Sequence, residues 1–248
     1  MAGHSKWANI KHRKGAADAK RGKIFTKIIK DIMIAVKENN NPEPDSNPRL
    51  RLAIQNAKGA NMPKDNIARA IKKASGAGGE TYEEVTYEGY APHGIAVFVE
   101  CATDNTTRTV QNVRSYFNKY NGSLGKNGSL EFLFDRKGIF ELEKPTDFDE
   151  DDFSLEAIDG GADEIEVEDD TVYVTTAMED FGNFQAKLEE MGLEAKSAEL
   201  RRIPTTTKLL DNESFQQVMK LIDKLDDDDD VQKVYHTLEI TEAQADLL

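Results

Sequence analysis

The stretch GIFELEKPTDFDEDDFSLEAIDGGADEIEVEDDTVYVTTAMEDFGNFQAKLEEMGLEAKSAELRRIP, residues 138–204, switches repeatedly between strand-like and helix-like patterning. Ile139 to Glu143 reads as a strand and about Asp152 to Asp159 as a helix, and two strands flank the Asp169-Asp170 turn. A helix from Phe181 to Met191 and a strand from Glu194 to Ile203 follow, and Pro204 ends the run. The order is βαββαβ, a complete ferredoxin-like unit.

Working outward, the flanks make a second set. Tyr82 to Tyr90 and Gly94 to Cys101 are β-branched and aromatic runs separated by Ala91-Pro92-His93. Asn105 or a neighbouring threonine caps a helix reaching about Tyr120, with Val110, Val113 and Phe117 at helical spacing, and Leu130 to Phe134 reads as a strand. Beyond Pro204, Thr206 to Leu209 reads as a strand, Phe215 to Leu225 as a helix with Val218, Leu221 and Ile222 inward, and Val231 to Thr237 as a strand. Counted from Gly94 with the middle unit excised, these pieces again give β-α-β twice. The expected class is therefore α+β, with one subdomain (136–203) carried inside a discontinuous one (80–135 and 204–248).

Residues 1–79 have a different character. Phe25, Ile28, Ile29, Ile32 and Val36 predict an amphipathic helix over 24–38, and the Asn- and Pro-rich stretch 39–48 predicts a loop. Leu50, Ala53, Ile54 and Ala57 mark a second helix that Gly59 should break. Asn61 is placed to cap a third, with Pro63 in its first turn and Ile67, Ala70, Ile71 and Ala74 as its buried stripe. The segment up to about Lys23 has little to bury and reads as a flexible arm, while residues 75–80 read as a linker.

Charge separates the same regions. The 248 residues carry a net charge of -14, yet residues 1–79 hold 17 Lys and Arg against 6 Asp and Glu. Residues 80–248 hold 15 against 40, and within them 136–203 hold 7 against 21. A cationic end on an anionic molecule points to a phosphate polymer. A basic tail that merely balances the acidic body is the plainer alternative. The candidate contacts are Lys6, Trp7, Lys11, His12, Arg13, Lys14, Lys20, Arg21, Lys23, Lys27, Lys30, Arg49, Arg51, Lys64, Asn66, Arg69, Lys72 and Lys73. Cations of this kind displace counterions from phosphates, and Trp7 offers a stacking surface. On the third helix, Lys64, Asn66 and Arg69 are the residues a DNA major groove would meet. Arg108, Arg114 and Lys126 are weaker candidates. The acidic 136–203 unit should be repelled by either DNA or RNA and face away.

Catalytic signatures are lacking. The glycines of Gly76 to Gly79 do not have dinucleotide-loop spacing, and those around Lys126 are too close for a phosphate loop, with Asn127 where a hydroxyl is needed. His4, His12, His93 and His236 are dispersed, so no metal or cofactor is expected, and His93 reads as a turn residue. Cys101 is the single cysteine, sits in an apolar run and reads as a core residue, so no internal disulfide is possible. Asp226 to Asp230 reads as a solvated acidic loop, although it stands at the negative end of a helix. No apolar run approaches the roughly 18 residues of a membrane span and the opening lacks a secretory apolar segment, so a cytosolic protein without a membrane partner is expected.

Four segments carry a resemblance: MAGHSKWANIKHRKGAADAKRGKIFTKIIKDI (1–32), NPRLRLAIQNAKGANMPKDNIARAIKKA (47–74), YEGYAPHGIAVFVECATDNTTRTVQNVR (87–114) and VQKVYH (231–236). Together they resemble the YebC-like proteins, most specifically in the N-terminal block. The resemblance implies an N-terminal helical domain and two α+β domains, the third inserted in the second. It also implies a non-enzymatic regulator of gene expression. Many bacterial members are described as DNA-binding transcriptional regulators, and mitochondrial relatives as translational activators. Others are described as ribosome-associated factors that relieve stalling, notably at proline runs. The partners expected on this basis are duplex DNA or ribosomal RNA, with the ribosome or transcription machinery behind them. A scaffold whose acidic subdomains dock basic proteins, and an unrecognised hydrolase, are the rival classes.

Overall fold

The computed structural model describes residues 17–76, 80–146 and 148–245, with side chains from Arg21 onward and Glu242 excepted. Three helices come first: α1 (Ala17–Asn39), α2 (Pro48–Gly59) and α3 (Lys64–Ser75). Ile32, Met33, Ala35 and Val36 of α1 pack on Leu50, Ala53 and Ala57 of α2 and on Ile67, Ala70 and Ala74 of α3. A fully buried amide fixes the start of α2. Asn47 accepts from the Leu50 N–H at 3.1 Å and donates to the carbonyls of Ala35 and Asn41, both at 2.8 Å. One side chain thus joins the end of α1, the loop and the first turn of α2.

Two local expectations need correction. α1 starts at Ala17, so residues 17–23 belong to the helix; the remainder of the expected arm lies outside the described residues. Asn61 does not cap α3: it takes a left-handed turn conformation with φ 57°, and Pro63 holds the cap position. Gly59 is the last residue of α2, so the helix ends where expected. Its importance is steric, because a Cβ there would lie 1.8 Å from the Lys196 carbonyl oxygen.

The first sheet has the order β3-β1-β2-β8, from β1 (Glu83–Ala91), β2 (Ile95–Thr103), β3 (Ser123–Leu124) and β8 (Val231–His236). Two helices cover one face, α4 (Thr106–Lys119) and α7 (Asn212–Asp226). Val97, Val99 and Cys101 of β2 meet Val113 and Phe117 of α4 and Val218, Leu221, Ile222 and Leu225 of α7 in the largest core. Asn105 caps α4 as its sequence position suggests, accepting from the Arg108 N–H.

The second sheet has the order β5-β6-β4-β7, from β4 (Phe134–Glu143), β5 (Ala162–Glu168), β6 (Thr171–Ala177) and β7 (Ser197–Pro204). Its helices are α5 (Glu150–Asp159) and α6 (Phe181–Glu190), and all its pairings are antiparallel. This is the ferredoxin-like βαββαβ layout, and these strands are contiguous in sequence between β3 and α7. The last described element is the single turn α8 (Glu242–Ala245).

By position the two sheets match. β1 lies between β2 and β3 as β6 lies between β4 and β5, and β8 lies beside β2 as β7 lies beside β4. The connectivity differs, because β1 enters the central slot from the N-terminal side. That explains two further corrections. The strand expected at Leu130 to Phe134 is a single tight turn, Glu131–Leu133, running into β4. The strand expected at Thr206 to Leu209 reduces to one bridge, Lys208 to Leu238. Both edges of β1 are already hydrogen-bonded, so no vacancy is left for either segment.

The pieces are locked together. Phe98 of β2 and Phe134 of β4 pack edge-to-face at 6.0 Å, and the Arg202 guanidinium of β7 lies 3.8 Å over the Phe98 ring. α2 docks on β7 through Asn56, whose side-chain amide donates to the Ala198 carbonyl and accepts from its N–H, each at 2.9 Å. Gln55 donates to the Ala195 carbonyl at 2.7 Å.

Two glycine substitutions should therefore differ in sign. Gly59→Ala is expected to destabilise by about 1–3 kcal/mol through overpacking against Lys196. Gly22→Ala, in α1 with open space around it, should stabilise by up to about 1 kcal/mol through helix propensity. Thermal unfolding followed by far-UV circular dichroism checks both, and equal effects would contradict the docking geometry.

Candidate nucleic-acid interface

The sequence pattern of α3 sets its two faces. Ile67, Ala70 and Ala74 are buried, so Lys64, Arg69, Lys72 and Lys73 are turned to solvent, and all four are exposed. Among the described residues no carboxylate lies at ion-pair distance from Lys64, Arg69 or Lys72. Lys73 differs, since its Nζ is 2.8 Å from Glu80 Oε2, which also accepts from the Tyr82 hydroxyl. Arg69 folds back on its own turn: Nε donates to the Asp65 carbonyl at 3.2 Å and Nη2 to the side chain of Asn66. The fork suited to reading a base edge is thus engaged locally, and the face presents compact ammonium charges instead.

The lysines of α1 are placed otherwise. Lys23, Lys27 and Lys30 stand at i, i+4 and i+7 and form a ladder against the acidic turn after α7. Lys23 pairs with Asp227, and Lys27 Nζ is 3.8 Å from Asp226 Oδ1. Lys30 is buried; it donates to the Asp229 carbonyl at 2.7 Å and the Ala102 carbonyl at 2.9 Å, and lies 3.3 Å from Asp230 Oδ1. Its Nζ also lies 5.0 Å from the centre of the Tyr82 ring. Asp230 accepts from Arg108 through Nε at 3.1 Å and Nη2 at 2.7 Å, and from the Thr109 hydroxyl at 2.9 Å. The Asp226 to Asp230 run is thus not the solvated loop expected. The ladder supplies the positive charge that the end of α7 needs. Lys30 and Arg108, both read as phosphate contacts, are committed to this network.

Electrostatics follow from burial and these partners. Burial alone would raise the Asp230 carboxyl, but the hydrogen bonds from Arg108 and Thr109 and the charge of Lys30 hold it below the usual carboxylate range. Asp31, one residue along α1, goes the other way. Its burial pushes it up to about 6, against the pull of Lys233 and Arg49. Burial, with Asp228 and Asp230 nearby, also pushes the Cys101 thiol up to about 12, so Cys101 is a packed core residue with no thiolate character.

The remaining candidates scatter. Arg49 is shared between Glu38 and Glu84, at 2.7 Å from the latter. Arg21, Arg51 and Arg114 are exposed on α1, α2 and α4. Lys20 lies in α1, its side chain beyond the described set, and Lys6, Trp7, Lys11, His12, Arg13 and Lys14 all lie outside the described residues. Lys126 is exposed in a glycine-rich loop in which the amides of Gly125, Gly128, Ser129 and Leu130 are already hydrogen-bonded within the chain. Buried Glu88 accepts from Gly128 N at 2.6 Å and Leu130 N at 2.5 Å, and its carbonyl accepts from Gly125 N at 2.7 Å. An internal carboxylate thus holds two of the amides that a phosphate loop would offer its ligand. Sequence reasoning missed Glu88, whose only signal was an acid among apolar and aromatic strand residues. His93 is a turn residue with φ 63°, its Nε2 3.0 Å from Gln217. Among the described residues no helix is long and apolar enough to cross a membrane.

Residues 5–77 match the family described as TACO1/YebC protein N-terminal domain, and residues 82–238 match TACO1/YebC second and third domain. A "Probable transcriptional regulatory protein" of Amoebophilus asiaticus is 55% identical over 240 residues, covering 96% of this chain and 98% of the relative. One from Geobacter sp. (strain M21) is 51% identical over 245 residues, covering 98% of each. Among solved structures, a conserved hypothetical protein from Aquifex aeolicus matches with a TM-score of 0.78 at 41% identity, over 91% of this chain and 93% of that one.

Lys30→Met should cost about 3–5 kcal/mol, because it keeps the volume but removes a cation from a buried network; denaturant titration measures it. The two aspartates give opposite pH dependences. The folded chain holds the Asp31 proton more tightly than the unfolded chain does, so this group adds stability as pH falls from neutral through about 6. Asp230 withdraws stability only as pH falls below about 4, through its lowered folded value. Asp31→Asn should abolish the Asp31 gain between neutral pH and pH 5, and a profile unchanged from wild type would contradict the assignment.

Proposed function

This chain belongs to the TACO1/YebC family, and on that premise we propose that it is a regulator of gene expression that works by gripping a nucleic acid rather than by catalysis. The observation that carries the reading is the exposed face of α3, where Lys64, Arg69 and Lys72 have no carboxylate at ion-pair distance among the described residues, on a chain of net charge -14. Elsewhere in the basic region Lys23, Lys27, Lys30, Arg49 and Lys73 have acidic partners, while Arg21, Lys37, Arg51 and Lys58, which have no carboxylate at ion-pair distance among the described residues, are spread over α1 and α2. Three cations left unneutralised on a helix face in so acidic a molecule fit a phosphate ligand. The names of the relatives support transcription regulation as the setting.

Recognition is of backbone and shape. Lysine supplies a point charge without the bidentate fork that distinguishes bases, and the Arg69 fork is bound to Asn66 and Asp65. The same chemistry suits duplex DNA and structured ribosomal RNA. We read residues 1–79 as the gripping unit, 80–135 with 204–248 as the body, and 136–203 as an acidic unit kept off the polymer. The basic residues before Ala17 extend the grip.

Lys64→Ala/Arg69→Ala/Lys72→Ala should weaken binding and flatten the slope of log affinity against log salt by roughly 0.9 for each phosphate that the variant no longer neutralises on duplex DNA. Fluorescence anisotropy over a salt series measures this, on promoter-like and random duplexes and beside co-sedimentation with ribosomes. Lys73→Ala, already paired with Glu80, should change the slope less. A slope untouched by the triple change would sink the reading; strong preference for one duplex sequence would replace backbone recognition with base readout.

A further inference from the structure

The ladder between α1 and the Asp226 to Asp230 turn is graded. At the inner rung, the side chains of Lys30 and Asp230 are each 7% exposed. At the middle rung, Lys27 and Asp226 are 23% and 26% exposed, and at the outer rung Lys23 and Asp227 are 40% and 53% exposed. The inner rung is a buried, multiply bonded anchor. The outer two are wet, so their carboxylates compete with whatever anion reaches the lysines from solvent.

We propose that Lys23 and Lys27 form a second phosphate-binding surface and that Asp226 and Asp227 are its built-in competitor, displaced when nucleic acid binds. This rests on the nucleic-acid reading above and deepens it. The acidic turn is held from behind. Asp228 accepts from the Tyr116 hydroxyl at 2.8 Å, from Asn112 at 3.3 Å and from Asp230 N at 2.9 Å. Opening the outer rungs therefore leaves the turn, the anchor and the packing of α1 in place, while the two lysine side chains swing away from the carboxylates and from the Asp227 and Asp226 carbonyls, to which they donate at 3.2 and 3.4 Å. A phosphate polymer replaces two carboxylates with a dense line of charge and gains counterion release. An isolated small anion gains nothing comparable, so the competitor selects for polymers and lifts the threshold for binding at high salt. Arg21 is exposed in the same part of α1 and extends the uncovered surface.

The test is the full chain carrying Asp226→Asn/Asp227→Asn, titrated with a labelled random-sequence duplex over a salt series. A second variant, Glu189→Gln/Glu190→Gln, makes the same change in net charge on exposed residues of α6. The Asn pair should bind about fivefold tighter than wild type, with a slope steeper by roughly 0.9 to 1.8, and the Gln pair less than about twofold tighter. Adding Lys23→Ala/Lys27→Ala to the Asn pair should return affinity to the wild-type level or below. Equal gains from the Asn and Gln pairs would reduce the effect to net charge and overturn the proposal, as would weaker binding by the Asn pair. If the Asn pair does not fold, Asp227→Asn alone, at the most exposed rung, gives the same comparison. A gain from the Asn pair with no effect of the α3 triple change would uphold the competitor and overturn α3 as the grip. No binding by any variant overturns both readings.

Discussion

A lysine ammonium taken out of water is tolerable only where every proton finds an acceptor and the charge finds its opposite. Lys30 meets that condition with two backbone carbonyls and the Asp230 carboxylate, which in turn is held by Arg108 and Thr109. The acceptors come from the end of β2 and from the turn between α7 and β8, and the supporting donors from the start of α4. One charge on α1 therefore ties four separate parts of the chain, and no small slide of α1 keeps it satisfied. The orientation of the helical region follows. With α1 fixed, α2 lies along β7, where Gly59 admits the Lys196 carbonyl, and the cationic face of α3 is left in solvent.

This arrangement sorts the cations of residues 1–79 by what neutralises them. Lys30 is consumed in the interior, Lys23, Lys27, Arg49 and Lys73 are shared with carboxylates at the surface, and Lys64, Arg69 and Lys72 face water together on α3, as Arg21, Arg51 and Lys58 do singly on α1 and α2. The regional charge excess does not measure binding capacity, because part of it is engaged in holding the molecule together. The acidic body supplies both the partners that consume cations and the contrast that makes the remaining ones effective.

Much of the fold was legible because its signals are local. The βαββαβ order of 138–204 follows from changes of period and from turns such as Asp169-Asp170, and the Asn105 cap follows from one residue. What was not legible depends on competition in space. The segments at Leu130 to Phe134 and Thr206 to Leu209 have strand-like composition, yet β1 and β3 already fill the two slots they would need. Gly59 marks the end of α2 in the sequence, but its steric role is invisible until the Lys196 carbonyl is seen beside it. For the site, the concentration of positive charge was plain in the chain, and so was the family. Which lysines are free was not, because Lys23, Lys27 and Lys30 meet partners about 200 residues away. Asp226 to Asp230 made no sense as an isolated acidic loop for the same reason.

The contact of Asn56 with Ala198 has a consequence for biosynthesis. β7 is paired on one side only, by β4, and its other rim carries backbone groups that another chain's strand would readily join. The side chain of Asn56 answers both groups of Ala198 on that rim, in the manner of a neighbouring strand. Because α2 precedes β7 in the chain, synthesis delivers the guard before the vulnerable rim. Without the helices, the Ala198 groups would lose that partner, and the Lys233 ammonium of β8, which donates to the Leu200 carbonyl at 3.3 Å, would be left to cover the rim.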